Sequence, residues 1–115
     1  MLPKRHRLRR TRDISRVRNS RTVARGELFT VRACARSDGQ PTRFAIVVSR
    51  RVSPKATERN AVTRHVRAFL FHELPTVRDG YDVLIIAQKR FPEYTREGYR
   101  RDLAPLLYRL HIVGS

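Results

Sequence analysis

The stretch "TRFAIVVSRRVSPKATERNAVTRHVRAFL", Thr42 to Leu70, decides how the chain folds. Its first third, residues 42–51, is apolar on both faces from Phe44 to Val48, which predicts a strand central in its sheet. The rest repeats apolar residues at helical spacing. With Val62 at 0° and 100° per residue, Val66, Phe69 and Leu70 fall within about 80° of it, forming a stripe that packs on a core. Asn60, Arg64 and Arg67 fall roughly 140–200° around, on the opposed face. Arg59 lies between, at the stripe's edge, and Ala61, His65 and Ala68 fill the remaining side. The helix starts either after Ser53, with Pro54 at its first position, or after Thr57. Either start puts Arg59 and Asn60 in the first two turns. A helix N-terminus carries partial positive charge and welcomes anions, so basic residues there point to an anionic partner.

Working outward, "ELFTVRACAR" (27–36) alternates, with Phe29, Val31, Ala33 and Ala35 on a uniformly apolar face. A short extended piece near Thr22–Arg25 precedes it. The turn cluster "SDGQP" (37–41) predicts an antiparallel hairpin joining this strand to residues 42–51. "YDVLIIAQ" (81–88) is a further buried strand, and the strand–helix–strand unit from 42 to 88 suits parallel pairing. Residues 11–21 form a weak first helix in which Thr11 can cap and Ile14 and Val17 share a face. In a last helix capped by Thr95, residues Tyr99, Leu103, Leu106, Leu107 and Leu110 share a face, with a kink or break near Ala104 because Pro105 follows. The order is that of an α+β domain with helices packed on one sheet.

The 115 residues suffice for one domain, preceded by a basic arm at about 1–12 that holds seven basic residues, His6 included, and no acid. Lys and Arg total 26 against 10 Asp and Glu, a net charge of +16, and Lys occurs only at 4, 55 and 89. Such a field favours a polyanionic partner, and arginine grips phosphate with a planar fork. One cysteine, Cys34, excludes an internal disulfide and a cysteine-based zinc site. No secretory h-region and no run of ~18–20 apolar residues is present, so a cytoplasmic protein without a membrane partner is expected. The apolar stripe keeps the central helix packed, which argues against DNA recognition through it.

These features together resemble the bacterial ribonuclease P protein component. The resemblance rests on "VVSRR" (47–51), the loop "VSPKATE" (52–58) and "RNAVTRHVRAFL" (59–70), on the start "RHRLRRTRDISRV", and on "YDVLIIAQKR" with the leucine-rich end, in register over almost the whole chain. The family's Arg-Asn-Arg reads Arg59-Asn60-Ala61 here, and a usual Lys is Thr63. Ile14 stands where Phe is usual, and Arg18 where a second aromatic is common.

The resemblance implies an α–β sandwich with a central four-stranded sheet and about three helices, like the second domain of a ribosomal small-subunit protein, with a left-handed strand–helix–strand crossover. It implies the protein subunit of an endoribonuclease that removes the 5′ leader of precursor tRNA. Catalysis then lies with the RNA subunit and its Mg²⁺, and the protein holds no cofactor or metal of its own. The implied partners are the catalytic RNA and precursor tRNA, bound by a protein monomer. The RNA-binding residues would be Arg59, Asn60, Arg64 and Arg67, with Arg50, Arg51 and Lys55 beside them. The leader would lie in a cleft between the first helix and the sheet, for which Ile14, Val17, Arg18, Phe29 and Val31 are candidates. The scattered acids agree with a non-catalytic protein, since metal-assisted hydrolysis needs clustered carboxylates. The rival reading is a ribosomal or other structural RNA-binding protein of the same fold.

Overall fold

The computed structural model describes residues 2–114. In chain order the elements are α1 (Thr11–Arg18), β1 (Val23–Arg25), β2 (Phe29–Ala35), β3 (Arg43–Val47), α2 (Ala56–Glu73), β4 (Tyr81–Ala87) and α3 (Arg96–Arg109). One mixed four-stranded sheet runs β1-β2-β4-β3. β3 and β4 pair in parallel across α2, as the sequence predicts, with Phe44 opposite Val83 and Ile46 opposite Ile85.

Two pairing expectations fail. No hairpin joins β2 to β3, because β4 lies between them, antiparallel to β2 from Phe29–Ala87 to Ala35–Tyr81. The turn at Gly39 does form, with φ 67°. Its flanks bond to the start of β4: Arg36 N–H donates to the Gly80 carbonyl at 2.7 Å, and Gly80 N–H to Gln40 at 2.9 Å. β3 is accordingly an edge strand. It is apolar on both faces because both are covered, and the N-terminal segment runs along its free edge. Leu8 N–H donates to the Phe44 carbonyl at 2.8 Å, and Arg7 and Phe44 form a parallel bridge. The segment 2–10 is therefore no free arm. Leu2 and Leu8 are buried and a 3₁₀ turn spans Lys4–His6.

The two sheet faces are filled differently. The main core lies under α2 and α3 and contains Phe29, Val31, Phe44, Val62, Val66, Leu70, Val83, Ile85, Leu103 and Leu107. A smaller cluster of Leu8, Val17 and Leu84 lies under α1, with Ile14, Ala45, Val47 and Ile86 packed against it. At Gly26 a Cβ would come within 2.7 Å of the Asp102 carboxylate. That carboxylate accepts N–H bonds from Glu27 at 2.9 Å and Phe29 at 3.0 Å, so α3 holds the start of β2.

α3 starts as expected, with the Thr95 hydroxyl accepting from Gly98 N–H at 3.0 Å. It passes through Pro105 without a break. Burying Tyr99, Leu103, Leu106 and Leu107 on one side, at about 1.5–3 kcal/mol per large apolar side chain, outweighs the roughly 3 kcal/mol a proline costs a helix. Pro105 itself faces solvent. Replacing Pro105 with alanine restores the bond to the Arg101 carbonyl and gives up some chain stiffness in the unfolded state. We expect a net gain on the order of 2 kcal/mol. Urea denaturation should show a higher midpoint at unchanged slope, and an equal or lower midpoint contradicts the account.

Candidate nucleic-acid interface

α2 begins at Ala56, between the two starts that the sequence offers. The loop before it is fixed by buried Ser53. The Ser53 hydroxyl accepts from Lys55 N–H at 3.1 Å and donates to Glu58 Oε1 at 2.5 Å. Arg59 Nη1 donates to the Ser53 carbonyl at 3.0 Å. The arginine at the helix start thus braces the loop first, and its remaining N–H groups are left for an anion.

The stripe is as expected for Val62, Val66 and Leu70, all fully buried, while Phe69 is half-buried. On the other side Asn60 and Arg64 are exposed and Arg67 is half-buried. With Thr63 and Ala68 they line a hollow of about 250 Å³. Among the described residues none of these three polar side chains is engaged in a salt bridge or a side-chain hydrogen bond. A cationic helix face with unpartnered donors is what phosphate contact requires.

Arg50 and Arg51 are exposed just before this loop, and Lys55 is exposed at its end. Arg50 and Arg51 share a hollow of about 360 Å³ with Arg90. The sequence reading missed Arg90. The signal was present: parallel pairing puts the C-terminal ends of β3 and β4 side by side, so "RR" (50–51) and "KR" (89–90) must meet. Phe91 N–H donates to the Val52 carbonyl at 2.8 Å and ties the two loops together.

The α1 side corrects the cleft. Phe29 and Val31 are fully buried on the opposite face of the sheet, where the Phe29 ring packs on Tyr94 and Tyr99 with centroids 5.6 Å and 6.0 Å away. The uniformly apolar face of β2 goes under α2 and α3 because that layer has two helices to cover it. α1, eight residues long, takes the mixed face with Thr30, Arg32 and Cys34. Val17 is sealed in the small cluster and offers no contact surface. Ile14 is half-buried and Arg18 exposed. Ile14 lines an open groove of about 220 Å³ between the N-terminal segment and β3, together with Arg9, Ala45, Val47 and Arg67. Cys34 packs, partly buried, against the small cluster under α1, and burial pushes its thiol above its ordinary value.

α1 is held on the sheet by a group that the sequence reading did not single out. Asp82 of β4 is fully buried. Its carboxylate accepts two bonds from Arg43, both at 2.8 Å, and one from Arg16 of α1 at 2.6 Å, with Arg36 at 3.9 Å. The hydrogen bonds to Asp82, with its negative charge and that of Asp13, hold the Arg43 guanidinium above its ordinary value against the opposing effect of burial.

Comparison with known proteins identifies the family. The Ribonuclease P family model matches residues 2–111. The chain belongs to the ribonuclease P protein family. A ribonuclease P protein component of Synechocystis is 32% identical over 97% of this chain and 90% of its own length. One of Ralstonia pickettii is 36% identical over 78% of this chain and 63% of its own length. The RNase P protein of Thermotoga maritima superposes with a TM-score of 0.79 at 29% identity, covering 91% of this chain and 97% of its own. That of Staphylococcus aureus superposes with a TM-score of 0.86 at 20% identity, a likeness of fold covering 96% of this chain and all of its own.

The two positions where the resemblance leads to the expectation of a cation lie on different sides of α2. Thr63 lines the α2 hollow between Asn60 and Arg67, whereas Ala61 lies on the side of the helix that carries His65. Thr63 therefore lies within the unpartnered face and Ala61 outside it.

Removing the Asp82 carboxylate leaves three arginines facing one another around a buried site. Asp82→Ala should destabilise the protein by about 2–4 kcal/mol and loosen α1, seen as faster amide exchange there. Asp38→Ala, which removes an exposed partner of Arg36, should leave the midpoint nearly unchanged. Equal effects of the two would contradict the assignment.

Proposed function

We propose that the chain works as the protein subunit of ribonuclease P, binding the catalytic RNA and the 5′ leader of precursor tRNA. The observation that carries this is the unpartnered Asn60–Arg64–Arg67 face of α2 in a chain whose whole length follows the ribonuclease P family. The RNA subunit lies against that face, with Arg59, Lys55, Arg50 and Arg51 extending the contact around the helix start. The leader passes along the groove beside β3, over Ile14, with Arg9 and Arg67 at its phosphates and Arg18 nearby on the exposed side of α1. Ile14 supplies apolar contact in place of aromatic stacking, so the leader is held chiefly through its backbone.

The hydrolytic step belongs to the RNA subunit and its Mg²⁺. Among the described residues no three of His, Cys, Asp and Glu come together as a metal site would need. One copy of the protein acts with the RNA, in the cytoplasm. No helix among the described residues is long and apolar enough to cross a membrane.

Reconstitution with the RNA subunit tests the reading. The protein should lower the Mg²⁺ needed for leader removal and should not cleave precursor tRNA alone. Arg64→Ala and Arg67→Ala should each weaken RNA binding roughly tenfold and reduce the slope of log affinity against log salt by about one. Unchanged affinity for both, cleavage by protein alone, or recovery from cells on ribosomes and not with the ribonuclease P RNA would overturn it.

A further inference from the structure

We propose that the seam between α2 and α3 is a second contact surface for the catalytic RNA, taking phosphates on Arg96 and Arg100 and an unstacked base on the outer face of His65. The inference rests on the assignment of this chain to the ribonuclease P holoenzyme. It adds a surface that the α2 face and the leader groove do not include.

The seam holds a hollow of about 350 Å³, lined by His65, Ala68 and Phe69 of α2 and by Arg96, Tyr99 and Arg100 of α3. Its floor is aromatic and layered. The His65 ring stacks on Tyr99 with centroids 5.2 Å apart and 23° between planes, and Tyr99 stacks in turn on Tyr94 at 6.0 Å and 27°. Tyr99 and Tyr94 are buried, whereas His65 is exposed and ends the column. The His65 Nδ1–H donates to the Ala61 carbonyl at 2.7 Å, which holds the ring in place. A fixed aromatic ring with one face on a stack and the other in water is a platform for a nucleobase, and histidine serves in this way in single-stranded RNA recognition.

The rim is cationic. Arg96 and Arg100 stand at i and i+4, on one face of α3, and both are exposed. Among the described residues neither forms a salt bridge. Glu97 lies about 100° around the helix from Arg96, and Glu73 contacts His72 at 3.4 Å. Aromatic floor and free arginines together select a nucleic-acid strand over an acidic peptide, which would use the charges and leave the platform idle.

Position selects the catalytic RNA over the leader. Ala68 lines this hollow and also the Asn60–Arg64–Arg67 hollow, so the two adjoin at that residue. The leader groove opens on the other side of Arg67, beside β3. A strand leaving the α2 face away from the groove enters the seam.

The test uses the full-length protein and transcribed ribonuclease P RNA, with Arg64→Ala as reference. The Arg96→Ala/Arg100→Ala double variant should bind the RNA about tenfold or more weakly and lose about two units of salt slope, at an unchanged unfolding midpoint. His65→Ala should cost roughly tenfold with the salt slope preserved, since a stacked base carries no charge. Wild-type affinity and slope in the double variant, with Arg64→Ala weakened, would remove the seam and leave the assigned function standing. Wild-type binding by Arg64→Ala as well would remove both. A loss confined to precursor tRNA binding by the assembled holoenzyme would move the contact to the substrate and overturn the choice of the RNA subunit.

Discussion

A single buried carboxylate gathers most of the fold around it. Asp82 sits in β4, whose backbone pairs with Cys34 of β2 on one side and Arg43 of β3 on the other. Its side chain binds Arg43 and Arg16, with Arg36 nearby. One oxygen pair thus joins β3, the turn after β2 and the helix above the sheet. In a chain of net charge +16 this is an economical arrangement: three cations that would repel one another are held by one anion. Burial makes the arrangement directional, because a desolvated carboxylate must have its lone pairs satisfied and the fork of Arg43 satisfies two. The groove beside β3 depends on it, since Arg16–Asp82 fixes α1 over the sheet together with the packing of Val17 and Ile14.

What was legible in the sequence were quantities that depend on faces. The Val62–Val66–Leu70 stripe, the opposed Asn60–Arg64–Arg67 face and the apolar face of β2 all came from periodicity, which records burial above and below an element. What periodicity does not record is the lateral neighbour. β3 reads as a central strand because both its faces are covered, yet its free edge is closed by Arg7 and Leu8 instead of by another strand. The Asp38–Gly39 turn is real, but a turn only reverses the chain. Whether the next strand pairs with the last is decided by the more apolar β4, which fits between them with five fully or nearly fully buried side chains from Asp82 to Ile85 and at Ala87.

The same limit explains the cleft. Alternation put Phe29 and Val31 on one face and could not say which layer covers it. The answer lay in helix area: α2 and α3 together bury the larger apolar surface, and α1 with one buried residue suits the face carrying Arg32 and Cys34. Asp82 was overlooked for a related reason. An acid inside a strand pattern looks like a surface position, and only its three-dimensional neighbours show that Arg16, Arg36 and Arg43 converge on it. Pro105 shows the opposite case: leucine burial along the rest of the helix carries α3 through the proline without a break.

The distribution of acids explains how the basic surface stays available. Asp13 and Asp82 meet Arg43, Asp38 meets Arg36, Asp102 accepts backbone N–H groups, Glu58 accepts from Ser53, and Glu73 faces His72. These are six of the ten acids, and none of them neutralises Asn60's neighbours Arg64 and Arg67 or the exposed Arg50 and Arg51. These six acids are engaged within the fold's own framework, and Arg64 and Arg67 of α2 keep their charge unpaired among the described residues. Such a surface strains the free protein through self-repulsion, and a ligand that binds only the folded state relieves it. At RNA concentrations a hundredfold above the dissociation constant the folded state gains about 2.7 kcal/mol, of the same order as the loss expected on removing the Asp82 carboxylate. Stability and RNA binding are thus linked through charge: the internal acid holds the fold together well enough to display the cations, and the RNA completes the neutralisation.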